Sequence, residues 1–192
     1  MENGKIILLN GVSSAGKTTL AKALQAKLDV PLYSLSCDAF AAMAPERFCE
    51  DDLDGQIMIT QRMMRETIRL FSDKGLCVVV DDVVLDLPDK NDWLYDYSVL
   101  LAGYPVLFVH VTCPLDELVR RQTQRGDRMP NQAQWQLDHA YTNIPYDLTV
   151  DTHQNSAEEC AEQIISLLDQ PHEWSALAKI KTQIEASRKE PQ

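Results

Sequence analysis

Residues 6–20 read IILLNGVSSAGKTTL, an apolar run that breaks into Gly11, Gly16, Lys17 and Thr18. The spacing is G-x-x-x-x-G-K-[ST], a P-loop, and its parts have separate physical jobs. The glycines let the backbone turn tightly, so that successive N–H groups can surround a phosphate. The cradle is expected to run through Gly11, Ser13, Ser14, Ala15, Gly16, Lys17, Thr18 and Thr19. Lys17 reaches the β- and γ-phosphates, and the Thr18 hydroxyl sits on Mg²⁺. The helix starting at Gly16 aims its positive end at the same anion. A plain glycine turn before a helix is the alternative, and the flanks weigh against it. Ile6 to Leu9 read as a buried strand, and Leu20, Ala23, Leu24, Ala26 and Leu28 as an amphipathic helix.

Outward from this motif, strands and helices alternate, which predicts a parallel sheet covered on both faces. Expected strands are 5–10, 32–37, 76–81, 105–111 and 147–151. Expected helices are 17–28, 55–73, 91–101, 114–124, 132–140 and 156–169. Thr112, Asp151 and Ser156 are candidate caps near helix starts. The tail from Pro171 is slightly basic, and Trp174, Leu177, Ile180 and Ile184 fall near helical spacing. The expected division is a domain over 1–170, with an arginine lid near 121–134, and a helical tail over 171–192.

The chain has 192 residues, 45% of them hydrophobic and 24% charged, an ordinary balance for one soluble domain. No apolar stretch is long enough to span a bilayer, and the opening Met-Glu-Asn-Gly-Lys is no signal peptide. Five dispersed cysteines, Cys37, Cys49, Cys77, Cys113 and Cys160, fit reduced thiols and a cytoplasmic location. With 18 Lys and Arg against 29 Asp and Glu, the net charge is −11. Nucleic acid is not an expected partner of so acidic a chain, since phosphate backbones need a basic face. A nucleotide is not excluded, because a glycine loop, a few basic groups and Mg²⁺ can meet its phosphates.

Carboxylates at strand ends carry the next signal, because ligands of open α/β sheets bind there. The run Cys77 to Val80 ends in Asp81 and Asp82. One acid there would hold the Mg²⁺ shell, the other would cap a loop, and the sequence does not assign which. Asp38 follows the apolar segment ending at Cys37 and is either a helix N-cap or a carboxylate facing the γ-phosphate. In the second role it would orient an acceptor hydroxyl and take its proton. Arg120, Arg121, Arg125 and Arg128 lie within nine residues. They read as a lid that meets charge on a transferring phosphoryl group, with a solvated helix end as the alternative. The four histidines have no metal-ligand spacing. Glu50, Asp51, Asp52 and Asp54 form an acidic loop. The D-x-x-G match at Asp52 to Gly55 follows no apolar strand and, with N-K-x-D absent, is read as accidental.

Together these residues resemble the chloramphenicol phosphotransferase family of P-loop kinases. The resemblance rests on ILLNGVSSAGKTTL, on Cys37-Asp38-Ala-Phe-Ala-Ala-Met, on Val78 to Val83, and on Arg121 with Arg125-Gly-Asp-Arg128. It extends to His139 and to Tyr146 through Thr152. It implies an α/β fold of the nucleoside- and nucleotide-kinase type, with a five-stranded parallel sheet. It also implies transfer of the ATP γ-phosphate to a hydroxyl of a small molecule, an antibiotic in the family's namesake. The implied roles are catalysis for Asp38, Lys17, Arg125 and Arg128, nucleotide binding for Arg121, and metal binding for Thr18, Asp81 and Asp82. ATP and Mg²⁺ are the implied cofactors, no membrane or nucleic acid is involved, and a homo-oligomer is compatible. The stretch Ala44 to Ile59 departs from the family, which leaves the acceptor open. A kinase of a metabolite or sugar nucleotide, or a non-catalytic nucleotide switch, are the competing readings.

Overall fold

The computed structural model describes residues 2–45, 52–87, 92–125, 131–168 and 174–188. Its frame is a five-stranded sheet of order β2-β3-β1-β4-β5, parallel throughout. The strands are β1 (Ile6–Asn10), β2 (Leu32–Ser36), β3 (Cys77–Asp82), β4 (Val106–Thr112) and β5 (Leu148–Asp151). All five lie within a residue of the expected bounds. The helices are α1 (Lys17–Lys27), α2 (Cys37–Ala41), α3 (Leu53–Asp73), α4 (Trp93–Leu100), α5 (Leu115–Arg125), α6 (Gln132–Asp138), α7 (Ala157–Leu168) and α8 (Ala176–Ser187).

Central strands of a parallel sheet are buried on both faces, so β1 is apolar at successive positions. Ile7 and Leu9 join Val79, Leu107, Val109 and Val150 in one core with α1 and α7. Ile6 and Leu8 join Val78, Val80, Val106 and Phe108 in the other, with α3, α4 and α8. Burying such side chains contributes roughly 1.5–3 kcal/mol each.

Three caps differ from expectation or refine it. Ser36, not Asp38, caps α2, its hydroxyl accepting from Ala39 N at 3.2 Å. The D-x-x-G match is a cap as well, with the Asp52 carboxylate accepting from Gly55 N at 3.0 Å to start α3. Ser156 forms a reciprocal capping box with Glu159 ahead of α7. Thr112 instead donates to Val150 O within the sheet, and Asp151 caps the turn at His153 and Gln154.

The C-terminal helix is seated on the domain, with Ala176, Leu177 and Ile180 buried. Asp147 fastens it. One carboxylate oxygen accepts from Ser175 N and Ala176 N, both at 3.0 Å, and the other from Phe108 N at 2.9 Å. No described helix is long and apolar enough to cross a membrane.

Candidate active site

The P-loop turns at the carboxyl end of β1 because its backbone leaves no room for other residues. A β-carbon on Gly11 would lie 2.3 Å from Val111 O. Gly16 has φ +91° and Ser14 φ 66°, both left-handed. The Ser14 hydroxyl is buried with no hydrogen-bond partner among the described residues. A loop that leaves a buried hydroxyl unsatisfied beside the start of a helix fits an anion.

Lys17, the first residue of α1, folds back over this loop. Its ammonium donates to Gly11 O at 2.7 Å and Val12 O at 3.1 Å, and lies 3.5 Å from Asp81 Oδ1. Burial pushes the ammonium below its usual range, opposed by the charges of Asp81, Asp82 and Asp38. Thr18 Oγ1 donates to Asp81 Oδ2 at 2.6 Å. Hydroxyl and carboxylate thus converge as a pair of hard oxygens beside the loop, a donor set suited to Mg²⁺ that shares its remaining positions with phosphate and water.

The two adjacent acids of β3 part company because side chains alternate across a strand. Asp81 faces α1 and the P-loop. Asp82 points to the opposite face, 1% exposed, where its carboxylate is taken up by the protein itself. Tyr97 OH donates to it at 2.7 Å, Gln61 Nε2 at 3.0 Å and Val83 N at 2.8 Å. Of the two acids that the sequence leaves unassigned, Asp81 is thus the one beside Thr18 and Lys17, and Asp82 is held in the core. Gln61 also donates to Cys37 Sγ at 3.0 Å, and burial together with the nearby Asp82 and Asp38 charges pushes that thiol up to about 12. Asp82 is therefore the anchor of a buried network that reaches the residue before Asp38.

Asp38 itself is exposed in the first turn of α2. It stands two residues beyond Ser36, which pairs with Asp81 in the sheet register, at the same carboxyl end of the sheet as the P-loop.

The arginine cluster is divided. Arg120 and Arg121 both bond Glu117, at 2.6–2.7 Å, and these hydrogen bonds hold the Glu117 carboxyl down at about 2. Arg121 continues to Thr152 Oγ1 at 3.0 Å, Thr152 O at 2.9 Å and Ser14 O at 3.4 Å. Thr152 in turn donates to Ala15 O at 2.7 Å. Arg121 is therefore a fixed strut against the P-loop rather than a swinging finger. Arg125 is exposed at the end of α5, and Arg128 lies outside the described residues.

Two features escape sequence reasoning. Gln136 of α6 is buried, and its carbonyl oxygen accepts from Ser13 N in the P-loop at 2.6 Å. Nothing in a short amphipathic helix announces such a contact. The second is a cavity of about 220 Å³ at the carboxyl ends of β1, β3 and β4, whose lining includes Gly11, Val12, Val84, His110, Tyr141 and Tyr146. Asn10 borders it and bridges two elements, accepting from Val84 N and donating to Tyr146 OH, both at 2.9 Å. A polar residue closing an apolar strand was its visible signal.

Comparison with known proteins agrees with this arrangement. The family description "Chloramphenicol phosphotransferase-like protein" matches residues 4–169. A Mycobacterium tuberculosis (strain H37Rv) protein named for a proposed O-phosphotransferase activity is 30% identical over 188 residues, spanning 85% of this chain and 82% of that protein. Two solved structures share the fold. A sugar kinase from Janibacter sp. HTCC2649 superposes with a TM-score of 0.65 at 24% identity, covering 86% of this chain and 95% of that one. An APS kinase from Mycobacterium tuberculosis, in complex with AMPPNP and APS, superposes with a TM-score of 0.64 at 19% identity, covering 88% and 100%. The fold is that of the P-loop kinases, and the chain belongs to the chloramphenicol phosphotransferase-like family.

Proposed function

We propose that the protein is an ATP-dependent O-phosphotransferase that moves the γ-phosphate to a hydroxyl of a small uncharged molecule. The observation that carries this reading is the gathering of Lys17, the Thr18–Asp81 pair and Asp38 at the carboxyl end of the sheet, where Ser36, two residues before Asp38, pairs with Asp81. A nucleotide switch needs the first three and has no use for the fourth.

The P-loop amides and the Lys17 ammonium hold the triphosphate. Thr18 and Asp81 would hold Mg²⁺, which when bound neutralises charge on the β- and γ-phosphates. Arg121, braced by Glu117 and Thr152, fixes the nucleotide side of the loop, and Arg125 and Arg128 answer the charge that spreads over the moving phosphoryl group. Asp38 orients the acceptor hydroxyl and takes its proton as the new P–O bond forms and the bond to ADP breaks.

The body of the acceptor sits in the cavity beside Gly11 and Val12, whose carbonyls also receive Lys17, and its reacting hydroxyl extends beyond the cavity lining toward Asp38. The cavity lining carries no Lys, Arg, Asp or Glu among the described residues. An anionic acceptor would lose its water there with no cation to meet it. Chloramphenicol and other neutral hydroxyl compounds are therefore the first acceptors to screen, with phosphorylated product read by ³¹P NMR. Asp38→Asn is expected to leave ATP binding intact and lower turnover about 10²–10⁴-fold. ATP hydrolysis that no alcohol stimulates, indifferent to Asp38, would leave the switch reading standing instead.

A further inference from the structure

Across the carboxyl end of the sheet, Asp82, Asn10 and His110 sit side by side on β3, β1 and β4 in register. A row of polar groups in this position must be satisfied by the protein, by water or by a ligand. Asp82 is met by Tyr97, Gln61 and Val83. Asn10 uses both ends of its amide, on Val84 and Tyr146. His110 differs from both: its ring makes no hydrogen bond among the described residues.

That ring is nonetheless held in place. It stacks on Tyr146 with centroids 4.4 Å apart and planes 11° from parallel, and Tyr146 leans on Phe108 at 4.6 Å. The Tyr146 hydroxyl accepts from Asn10, and among the described residues nothing accepts its own proton. Both rings border the cavity. Its floor therefore presents two oriented, uncommitted polar groups, an imidazole and a phenolic O–H, within otherwise apolar walls. A pocket that is mostly apolar with a few fixed polar groups is the usual form of a small-molecule site, and those groups set orientation and specificity.

We propose that His110 and Tyr146 determine acceptor specificity, together hydrogen-bonding an uncharged polar group of the acceptor, a hydroxyl, carbonyl or amide, remote from the hydroxyl that is phosphorylated. The inference rests on reading this cavity as the acceptor pocket. A half-buried polar pair of this kind, covered by the acceptor once it binds, discriminates between acceptors, because one lacking the matching group leaves both unpaired. Asn10 acts through Tyr146, turning the phenol so that its proton points away from the amide.

The test uses the full chain with the non-hydrolysable analogue AMPPNP and Mg²⁺. Histidine ring resonances are followed by NMR, with His110 assigned by its loss in His110→Phe. The probes are chloramphenicol, a neutral hexose and a nucleoside, against gluconate and adenylyl sulfate as anions, each at millimolar concentration. At least one neutral probe is expected to shift the His110 signals, and the anions to leave them in place. No shift with any neutral probe, or an equal shift with the anions, overturns the proposal. For an acceptor that is phosphorylated, His110→Phe and Tyr146→Phe should raise its KM about 2–10-fold, with kcat and the affinity for ATP nearly unchanged. His110→Gln, which keeps a donor and an acceptor, should recover part of the loss. Product formation with wild-type KM in both Phe variants sinks the His110–Tyr146 assignment while leaving phosphotransfer intact. A His110 shift without any phosphorylated product does the reverse.

Discussion

The two halves of this site are built in opposite ways. On the nucleotide side, Gly11 to Thr18, Glu117, Arg121 and Thr152 are cross-bonded into one unit, and the partners are largely backbone carbonyls and amides. On the side proposed for the acceptor, the groups are side chains brought from β1, β4 and the segment before β5, and among the described residues the His110 ring and the Tyr146 proton have no hydrogen-bond partner. Phosphate is the same in every nucleotide and can be met by a backbone shape. An acceptor varies, and side chains on a fixed sheet can be exchanged without disturbing the loop beside them.

That division can be tested by substitutions on either side of it. The largest effect is expected at Lys17→Ala, with turnover lowered about 10²–10³-fold and ATP binding weakened. Normal ATP affinity in that variant would break the nucleotide-side assignment. The neighbours Asp81 and Asp82 sharpen the contrast within a single strand. Asp81→Asn should cost about 10–100-fold in activity and raise the Mg²⁺ concentration needed. Asp82→Asn should leave the Mg²⁺ requirement alone and lower stability by about 1–3 kcal/mol in urea unfolding. A raised Mg²⁺ requirement in the second variant would return Asp82 to the metal shell.

Gln136 lies on the border between the halves, with its carbonyl oxygen on the Ser13 amide. Gln136→Ala frees that amide for phosphate, so ATP should bind about 2–10-fold more tightly. Calorimetry that finds equal or weaker binding would show that Gln136 and phosphate do not compete.

The smallest effect is a pH slope. Burial holds the His110 imidazole below its ordinary 6.5. Below pH 6.5 the unfolded chain takes up a proton at this residue that the folded protein resists. Its contribution to stability is thus absent above that pH and turns unfavourable as the pH falls. Urea midpoints compared on either side of pH 6.5 should show a shallower acid slope in His110→Phe than in wild type.

The same division explains what was legible in the sequence. The P-loop demands contiguous residues of fixed type, so Gly11, Gly16, Lys17 and Thr18 were visible at once. Buried parallel strands leave unbroken apolar runs, and all five were placed closely. Asp81 and Asp82 could be seen as a pair but not told apart, since the period of two decides only once one residue's face is known. Asp38 reads equally as an N-cap, and only the fold shows that the Ser36 hydroxyl, two residues earlier, takes that position. Gln136, His110 and Tyr146 left the least trace of what they touch. Their partners lie 123, 36 and 136 residues away in chain order, and only the folded sheet brings them together.

Asp147 links that pocket to a part of the chain outside the family match, which ends at residue 169. The carboxylate that bonds Ser175 and Ala176 belongs to the residue directly after Tyr146, and its other oxygen grips the backbone of Phe108, the next ring in the stack. The terminal helix is thus a counterweight to the pocket floor. On the acceptor reading proposed above, a change in that helix would reach the pocket floor through Asp147 without altering any residue that lines it.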